Sequence, residues 1–336
     1  MMKMLYIAKN VEKNCDNLMK IQKIFLKGNK FMKVGYAVLY KDGELVISNN
    51  NYVFQKKIFI NYGEFEDTEV PWKKEYDKIK TVKILNQVKL NNMKNWFKNC
   101  VKLTNLIDFN NLDVSNCKDF SYMCYNCQEL IDISSLKNWD VSNGENFSKS
   151  FVYCEKIITF SALENWNMSN ASNISYMFTS SSFRNTSILL SWNVSNVKSF
   201  SCMFADCKNL IDISALINWD VSNGEYFDGM FSNCDNLNNI TSISYWNISN
   251  GKNFSRMFED CYSLITCTIS NWNFSGKNKY AFGFMFKNAK NLKEIYLSES
   301  LSILKADMFK KCNPKLKVHW KNMIYTYEDL LEYQEF

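Results

Sequence analysis

A tryptophan-centred motif recurs along this chain at a nearly constant interval, and no other feature narrows the possible folds as much. Trp139, Trp166, Trp192, Trp219, Trp246 and Trp272 follow one another at 27, 26, 27, 27 and 26 residues, with Leu112 in the same column one unit earlier. Behind each tryptophan come Asp or Asn, a Ser two residues later, a Phe, a Met-Phe pair, a cysteine and a Leu/Ile run. The cysteine column reads Cys100, Cys127, Cys154, Ser181, Cys207, Cys234, Cys261, Ala289 and Cys312, which marks about nine units. A period of this length is the signature of a solenoid, in which each unit packs on its neighbours.

One unit can be read physically. Ser142–Glu145 and Ser222–Glu225 have the S-x-x-E form of a helix capping box. Phe147 and Phe151 lie four apart, which predicts one face of a short helix. The LIDIS stretches from Leu130 and Leu210 are β-branched and alternating, so each predicts a short strand. The Trp-[Asp/Asn]-x-Ser segment turns the chain back with local side-chain hydrogen bonds. Buried apolar side chains contribute roughly 1.5–3 kcal/mol each. One unit's set falls short of about 1.5 kcal/mol of ordering entropy for each of its residues. Stacking must supply the remainder, and a good column of side chains is therefore copied from unit to unit. Trp272 to Met285 is two residues longer than the corresponding spacing elsewhere, which predicts a bulge at a turn.

The pattern W-[D/N]-x-S-N-x-x-x-F-S-x-M-F-x-x-C-x-x-L resembles the BspA-like leucine-rich-repeat proteins, in the branch common among mycoplasma-type surface lipoproteins. The stretches VPWKKEYDKIKTVKI and MKNWFKNCVKLTNLIDFNNLDVSN are similar to that family's leading segment, so the resemblance spans about residues 70–312. It implies an α/β solenoid: a leucine-rich-repeat-like right-handed superhelix of about nine strand-turn-short-helix units of 23–28 residues, capped at both ends. It also implies a surface protein that binds host proteins or matrix. The chain departs from the family in showing neither a signal peptide nor a lipobox at its N-terminus.

The flanks have a different texture. Val11, Cys15, Leu18, Ile21 and Phe25 form a helical stripe ended by Lys27-Gly28. KVGYAVLYKDGELVISN predicts a hairpin with a type I′ turn at Asp42-Gly43. Residues 1–69 are thus expected to be an N-terminal cap of helix and hairpin, 70–98 a leading segment and 99–312 the repeats. Residues 313–336 would form a closing helix with Thr326 as its N-cap.

Charge is segregated: residues 1–98 carry a net of +9, residues 99–275 a net of −7, and residues 276–336 a net of +4. Arg184 and Arg256 are the only arginines. Base and phosphate readout favours the guanidinium fork, so no nucleic-acid partner is expected. No stretch approaches the roughly 18 apolar residues of a membrane helix, and the N-terminus lacks the apolar core of a secretory signal. The expected location is cytoplasmic, with cell surface or virion as alternatives.

Cys124 and Cys127 have zinc-like spacing, but no second pair accompanies them and His319 is the only histidine. Ser181 and Ala289 stand in the cysteine column, as a packing position tolerates and a ligand position does not. No metal and no cofactor are expected. Asp132, Asp212 and Glu294 share one column but lie whole units apart, so they do not make an acid–base pair. The ten Asn-x-Ser/Thr sequons, Asn167, Asn193, Asn247 and Asn273 among them, follow from the turn motif itself.

One feature points to binding. Asn105, Asp132, Thr159, Thr186, Asp212, Asn239 and Thr266 recur five residues after the cysteine column, and Ser134, Ser161, Ser214, Thr241 and Thr268 two further on. On strands these residues would share one face away from the core, making a small, hydroxyl-rich stripe. The expected function is non-enzymatic recognition of a protein partner through this strand face, by a monomer. A structural component of a virion or cell envelope, or a surface adhesin without its leader, are the alternatives.

Overall fold

In the computed structural model, which describes residues 35–50, 58–65, 70–278 and 280–332, consecutive units are joined by a ladder of backbone hydrogen bonds. The amides of Phe147, Lys149, Phe151 and Tyr153 donate to the carbonyls of Asn173, Ser175, Met177 and Thr179 at 2.8–3.0 Å. The same four-bond step leads onward from Met93, Phe120, Ile174, Phe200, Phe227 and Phe254. Carbonyls interleaved with the donors accept from the unit before, as Ser148 and Ser150 do from Tyr122 and Cys124. Every amide in the ladder points toward the following coil, so the stack is a solenoid with a direction.

Left-handed residues at fixed places aim these amides. Lys149 and Tyr153 have φ of 61° and 57°, and the pairs Tyr122/Asn126, Tyr176/Ser180, Cys202/Asp206, Gly229/Asn233 and Arg256/Asp260 repeat this. A run containing left-handed residues cannot be an α-helix. Phe147 and Phe151 are both buried as their spacing suggests, but on a series of turns. The expected capping boxes are absent as well. The Glu145 amide donates to the Lys118 carbonyl of the preceding coil, and its carboxylate meets Lys118 Nζ at 2.7 Å. Glu225 meets Lys252 at 2.5 Å.

The expected strands shrink in the middle of the stack. Asp132 makes one parallel bridge to Asn105, and Asp212 one to Asn185. A 3-10 turn follows at once, as at Ser134–Leu136, Ser161–Leu163 and Ser187–Leu189. The cause is local, because the Asp132 Oδ1 accepts the Ser134 amide at 2.7 Å and bends the chain out of the extended form. Full strands occur at both ends. One sheet runs in the order β3 (Ile58–Phe65), β1 (Gly35–Tyr40), β2 (Glu44–Ser48), β4 (Thr81–Ile84), β6 (Asn105–Ile107). Its β1 pairs are antiparallel, whereas β2–β4 and β4–β6 are parallel. A small parallel pair joins β5 (Val88–Lys89) to β7 (Leu112–Asp113). The other sheet stacks β8 (Thr266–Ile269), β9 (Glu294–Leu297) and β10 (Lys317–Trp320) in parallel, and adds antiparallel β11 (Met323–Thr326).

The β1–β2 turn differs from the type I′ expected of Asp42-Gly43. Only Gly43 takes a positive φ, 92°, and its amide closes on the Tyr40 carbonyl at 3.1 Å, a wider turn. Helix α1 (Tyr327–Glu332) follows β11. The Asp329 amide donates to Thr326 Oγ1 at 3.2 Å, and the Thr326 amide to Asp329 Oδ2 at 2.6 Å. The helical stripe from Val11 to Phe25 lies outside the described residues. Among those residues, no helix is long and apolar enough to cross a membrane.

Three side-chain columns fill the coil. The indole N–H groups of Trp139, Trp166, Trp192, Trp219, Trp246 and Trp272 donate to the carbonyls of Phe109, Leu136, Leu163, Leu189, Leu216 and Ile243 at 2.9–3.3 Å. Trp139 lies parallel to Trp166 at 6.3 Å, and Trp219 to Trp246 at 6.4 Å. Phenylalanines stack likewise, Phe200 on Phe227 at 5.2 Å and Phe227 on Phe254 at 5.3 Å. Buried thiols donate one coil back, Cys154 to the Cys124 carbonyl and Cys234 to that of Phe204, each at 3.1 Å. The cysteine column is therefore small enough to pack and polar enough to satisfy a buried carbonyl.

Trp166→Ala should lower unfolding stability by about 3–5 kcal/mol, the usual cost of emptying a buried aromatic site. Denaturant melts would show this, with Trp166→Phe recovering the apolar share but losing the indole's hydrogen bond to the Leu136 carbonyl, which keeps the Trp139 amide at 3.1 Å. Burial raises the thiols of Cys127, Cys154 and Cys234, and pushes Cys207 up to about 11. Cys202 alone among the eleven described cysteines is partly exposed. In a Cys15→Ser background, a thiol reagent should therefore modify Cys202 first, faster as pH rises, and the column only on unfolding. Rapid modification of Cys154 or Cys234 in the native protein would contradict this packing.

Candidate functional site

Two surfaces of the coil carry exposed side chains in register. The first lies at the bridge-and-turn corner anticipated for the stripe. Asn105, Asp132, Thr159, Asp212, Asn239 and Thr266 are exposed there, as are Ser134, Ser161, Ser214 and Thr241, with Thr268 half-buried. Thr186 is the exception, at 1% exposure, and Asn185 takes its place by pairing with Asp212. The coil is one residue shorter between Ser181 and Asn185, which moves Thr186 into the buried column of Phe160 and Ile213. Its hydroxyl has no partner there.

Most polar atoms of this stripe close their own turns. Thr159 Oγ1 accepts the Ser161 amide at 3.1 Å, Asp212 Oδ1 that of Ser214 at 2.8 Å, and Asn239 Oδ1 that of Thr241 at 2.8 Å. Beside them runs a column that the sequence reading passed over. Ile131, Ile158, Ile211 and Ile265 are exposed at the position just before the stripe, Ile158 to 81%. The Ile158 amide donates to the Ile131 carbonyl at 3.2 Å, so the two sit one coil apart. The residues to look at were the isoleucines directly before Asp132, Thr159, Asp212 and Thr266, which strict strand alternation would have turned inward.

The second surface is a groove of about 1280 Å³ along the ladder of left-handed turns. It runs from Lys98 and Asn99 to Glu259 and Asp260, so it crosses seven coils. The left-handed backbone turns the side chains of Tyr122, Lys149, Tyr176 and Arg256 onto its walls. Lys149 Nζ sits 5.2 Å from the Tyr122 ring centre and 4.9 Å from that of Tyr176, and Lys98 Nζ 4.4 Å from Tyr122. At the other end Arg256 is bound to the buried Glu259 at 3.1 Å, and Glu259 also accepts from Lys287. Asp206 and Asp228 line the middle. No sequence argument located this groove, since nothing in residue spacing reveals a left-handed turn at Lys, Tyr or Arg.

The cysteine pair and His319 lie apart from both surfaces. Cys124 and Cys127 are buried, and the Cys127 thiol donates to the Phe97 carbonyl at 3.1 Å. His319 stacks on Tyr296 at 4.2 Å, with Nε2 3.9 Å from Glu294. The Tyr296 hydroxyl donates to that carboxylate at 2.9 Å. Asp132 and Asp212 stand in one column three coils apart.

Comparison with known proteins adds the following. Residues 72–189 and 181–299 each match the family model described as "Mycoplasma protein of unknown function, DUF285". No curated protein matches the chain. Among solved structures it is similar to a leucine-rich repeat protein from Eubacterium ventriosum, at 14% identity and a TM-score of 0.29, over 84% of this chain and 93% of that one. It is also similar to a leucine rich cell surface protein from Faecalibacterium prausnitzii, at 11% identity and a TM-score of 0.23, over 89% and 96% of the two chains.

Proposed function

The chain belongs to the DUF285 family, and from that premise we propose that it is a non-enzymatic recognition protein that docks a partner protein along the bridge-and-turn corner of its coils. The observation that carries this reading is the exposure of Ile131, Ile158, Ile211 and Ile265 at one position of the coil, where Arg184 and Asn238 stand on the coils between Ile158 and Ile265. Leu190, Ile217 and Tyr245 are also exposed, Tyr245 to 77%. Large apolar side chains left to water in register are surface that association can bury.

The polar stripe beside them suits the same role. Its carboxylates and amides already accept hydrogen bonds from their own turns, so covering them strands few unpaired atoms. The partner would gain affinity from the isoleucines and register from Asp132 and Asp212, whose charges stay at the rim. Each buried isoleucine is worth roughly 1.5–3 kcal/mol, so two of them separate strong from weak binding.

The test isolates a partner with the intact chain and then titrates the purified pair. Ile158→Asp with Ile211→Asp should weaken binding about a hundredfold or more while the melting curve stays in place. Equal binding by the still-folded double variant would remove this corner from the function.

A further inference from the structure

The groove over the left-handed turns carries an inference independent of the isoleucine corner. At its first left-handed position successive coils place Tyr122, Lys149, Tyr176, Cys202, Gly229, Arg256 and Phe284. Cation and ring alternate at both ends, Lys149 between Tyr122 and Tyr176, and Arg256 5.4 Å from the Phe284 ring. The alternation breaks in the middle, where Cys202 and Gly229 leave a notch between Tyr176 and Arg256. Gly229 has φ 58°, and a Cβ added there would lie 2.9 Å from Cys202 Sγ. The part-exposed Cys202 thiol therefore covers the buried Gly229 and floors the notch.

The notch is acidic as well as open. Ser201 Oγ donates to Asp228 Oδ1 at 2.7 Å, and Asn233 Nδ2 to Asp206 Oδ1 at 3.0 Å. The second oxygen of each carboxylate has no hydrogen-bond or ion-pair partner among the described residues. Along this half of the groove four carboxylates, Asp206, Asp228, Glu259 and Asp260, accompany one guanidinium, Arg256. Two neighbouring groups register the negative field. The Tyr176 hydroxyl is pushed up to about 12, first by its hydrogen bond to Cys202 and also by Asp228. The Cys202 thiol is raised by burial, with Asp228 and Asp206 adding to it.

We infer that the groove binds an extended segment of a protein partner, anchored by a basic side chain that enters the notch over Cys202 and stacks on Tyr176. That cation restores the alternation on the side of Tyr176 away from Lys149, and Asp206 and Asp228 each offer it an unpaired oxygen. A guanidinium fits better than an ammonium, being flat against the ring and able to fork onto carboxylate oxygens. Lys98 and Lys149 at the other end favour an acidic residue there, which fixes the direction of the segment. Seven coils at a spacing of about 4.8 Å span about 30 Å, enough for about nine residues of extended chain. The carboxylates repel phosphate groups, so a nucleic acid is not the occupant.

The experiment selects a random nine-residue peptide library on the full-length protein and measures the enriched peptides by fluorescence anisotropy. Enriched peptides should share one arginine, and citrulline at that position should weaken binding at least tenfold, with lysine intermediate. Asp228→Asn, which keeps shape and the Ser201 contact, should cause a similar loss without shifting the melting curve. Ile158→Asp with Ile211→Asp should leave peptide binding unchanged, which separates this groove from the isoleucine corner. Failure to enrich any peptide, enrichment without a basic residue, or indifference to Asp228→Asn would overturn the inference. Binding of neutral oligosaccharides in place of peptides would overturn it too.

Discussion

The whole architecture depends on one directed set of hydrogen bonds, the four amides that each coil donates to the next. A coil in the middle of the stack pairs part of its backbone in tight turns and has almost no strand, so the polar groups those turns leave over must be satisfied by neighbours. The amides of Phe147, Lys149, Phe151 and Tyr153 do so by facing one way together. That alignment needs left-handed residues at two places per coil, each costing about 1–2 kcal/mol when it is not glycine. The ladder and the buried columns beneath it offset that cost, and the same backbone geometry throws Tyr122, Lys149, Tyr176 and Arg256 outward into the groove. The fold's main constraint and this groove therefore have a single origin.

The columns follow from the same accounting. The interior carbonyls, such as those of Leu216 and Phe231, each accept one amide of their own turn, and a purely apolar column would leave their second lone pair without a donor. Trp and Cys solve this with one polar hydrogen on an otherwise apolar side chain. Trp246 reaches the Leu216 carbonyl at 3.0 Å, and Cys261 that of Phe231 at 3.0 Å. Asparagine does the equivalent at the surface, where Asn170 and Asn223 donate to the carbonyls of Ser142 and Ser195, each at 2.7 Å. The repeated sentence is thus a list of donors in fixed places, and this is why its wording varies so little. Thr186 shows the cost of a slip: one missing residue moves a hydroxyl inward and leaves it unpartnered.

Much of this was legible without coordinates. The Trp spacing announced stacking, the exchange of Cys for Ser181 and Ala289 announced packing, and the Asp-x-Ser and Asn-x-Ser pairs announced turns. Local form was read less well. LIDIS alternates like a strand and the Phe147–Phe151 spacing resembles a helix, yet the first is cut short by its own Asp side chain and the second is a chain of turns. Both misreadings rest on periods of two and four that a repeat also produces when side chains merely point inward at a coil's corners. The stripe residues are exposed apart from Thr186, which is buried, and Thr268, which is half-buried, and the exposure of the isoleucines beside them was not foreseen.

By itself the sequence determined that this chain stacks, that the Trp, Phe and Cys columns pack inside it, and which side chains close the turns, because each is set by identity and spacing along the chain. Only the tertiary structure decided where backbone amides point, which residues turn left-handed, and hence which side chains meet across coils. Those depend on hydrogen bonds between residues about 27 positions apart, and no local preference of Lys149, Tyr176 or Arg256 foretells them. The notch over Cys202 exists only in that cross-coil geometry, where a glycine, a thiol and two carboxylates from two successive coils come together.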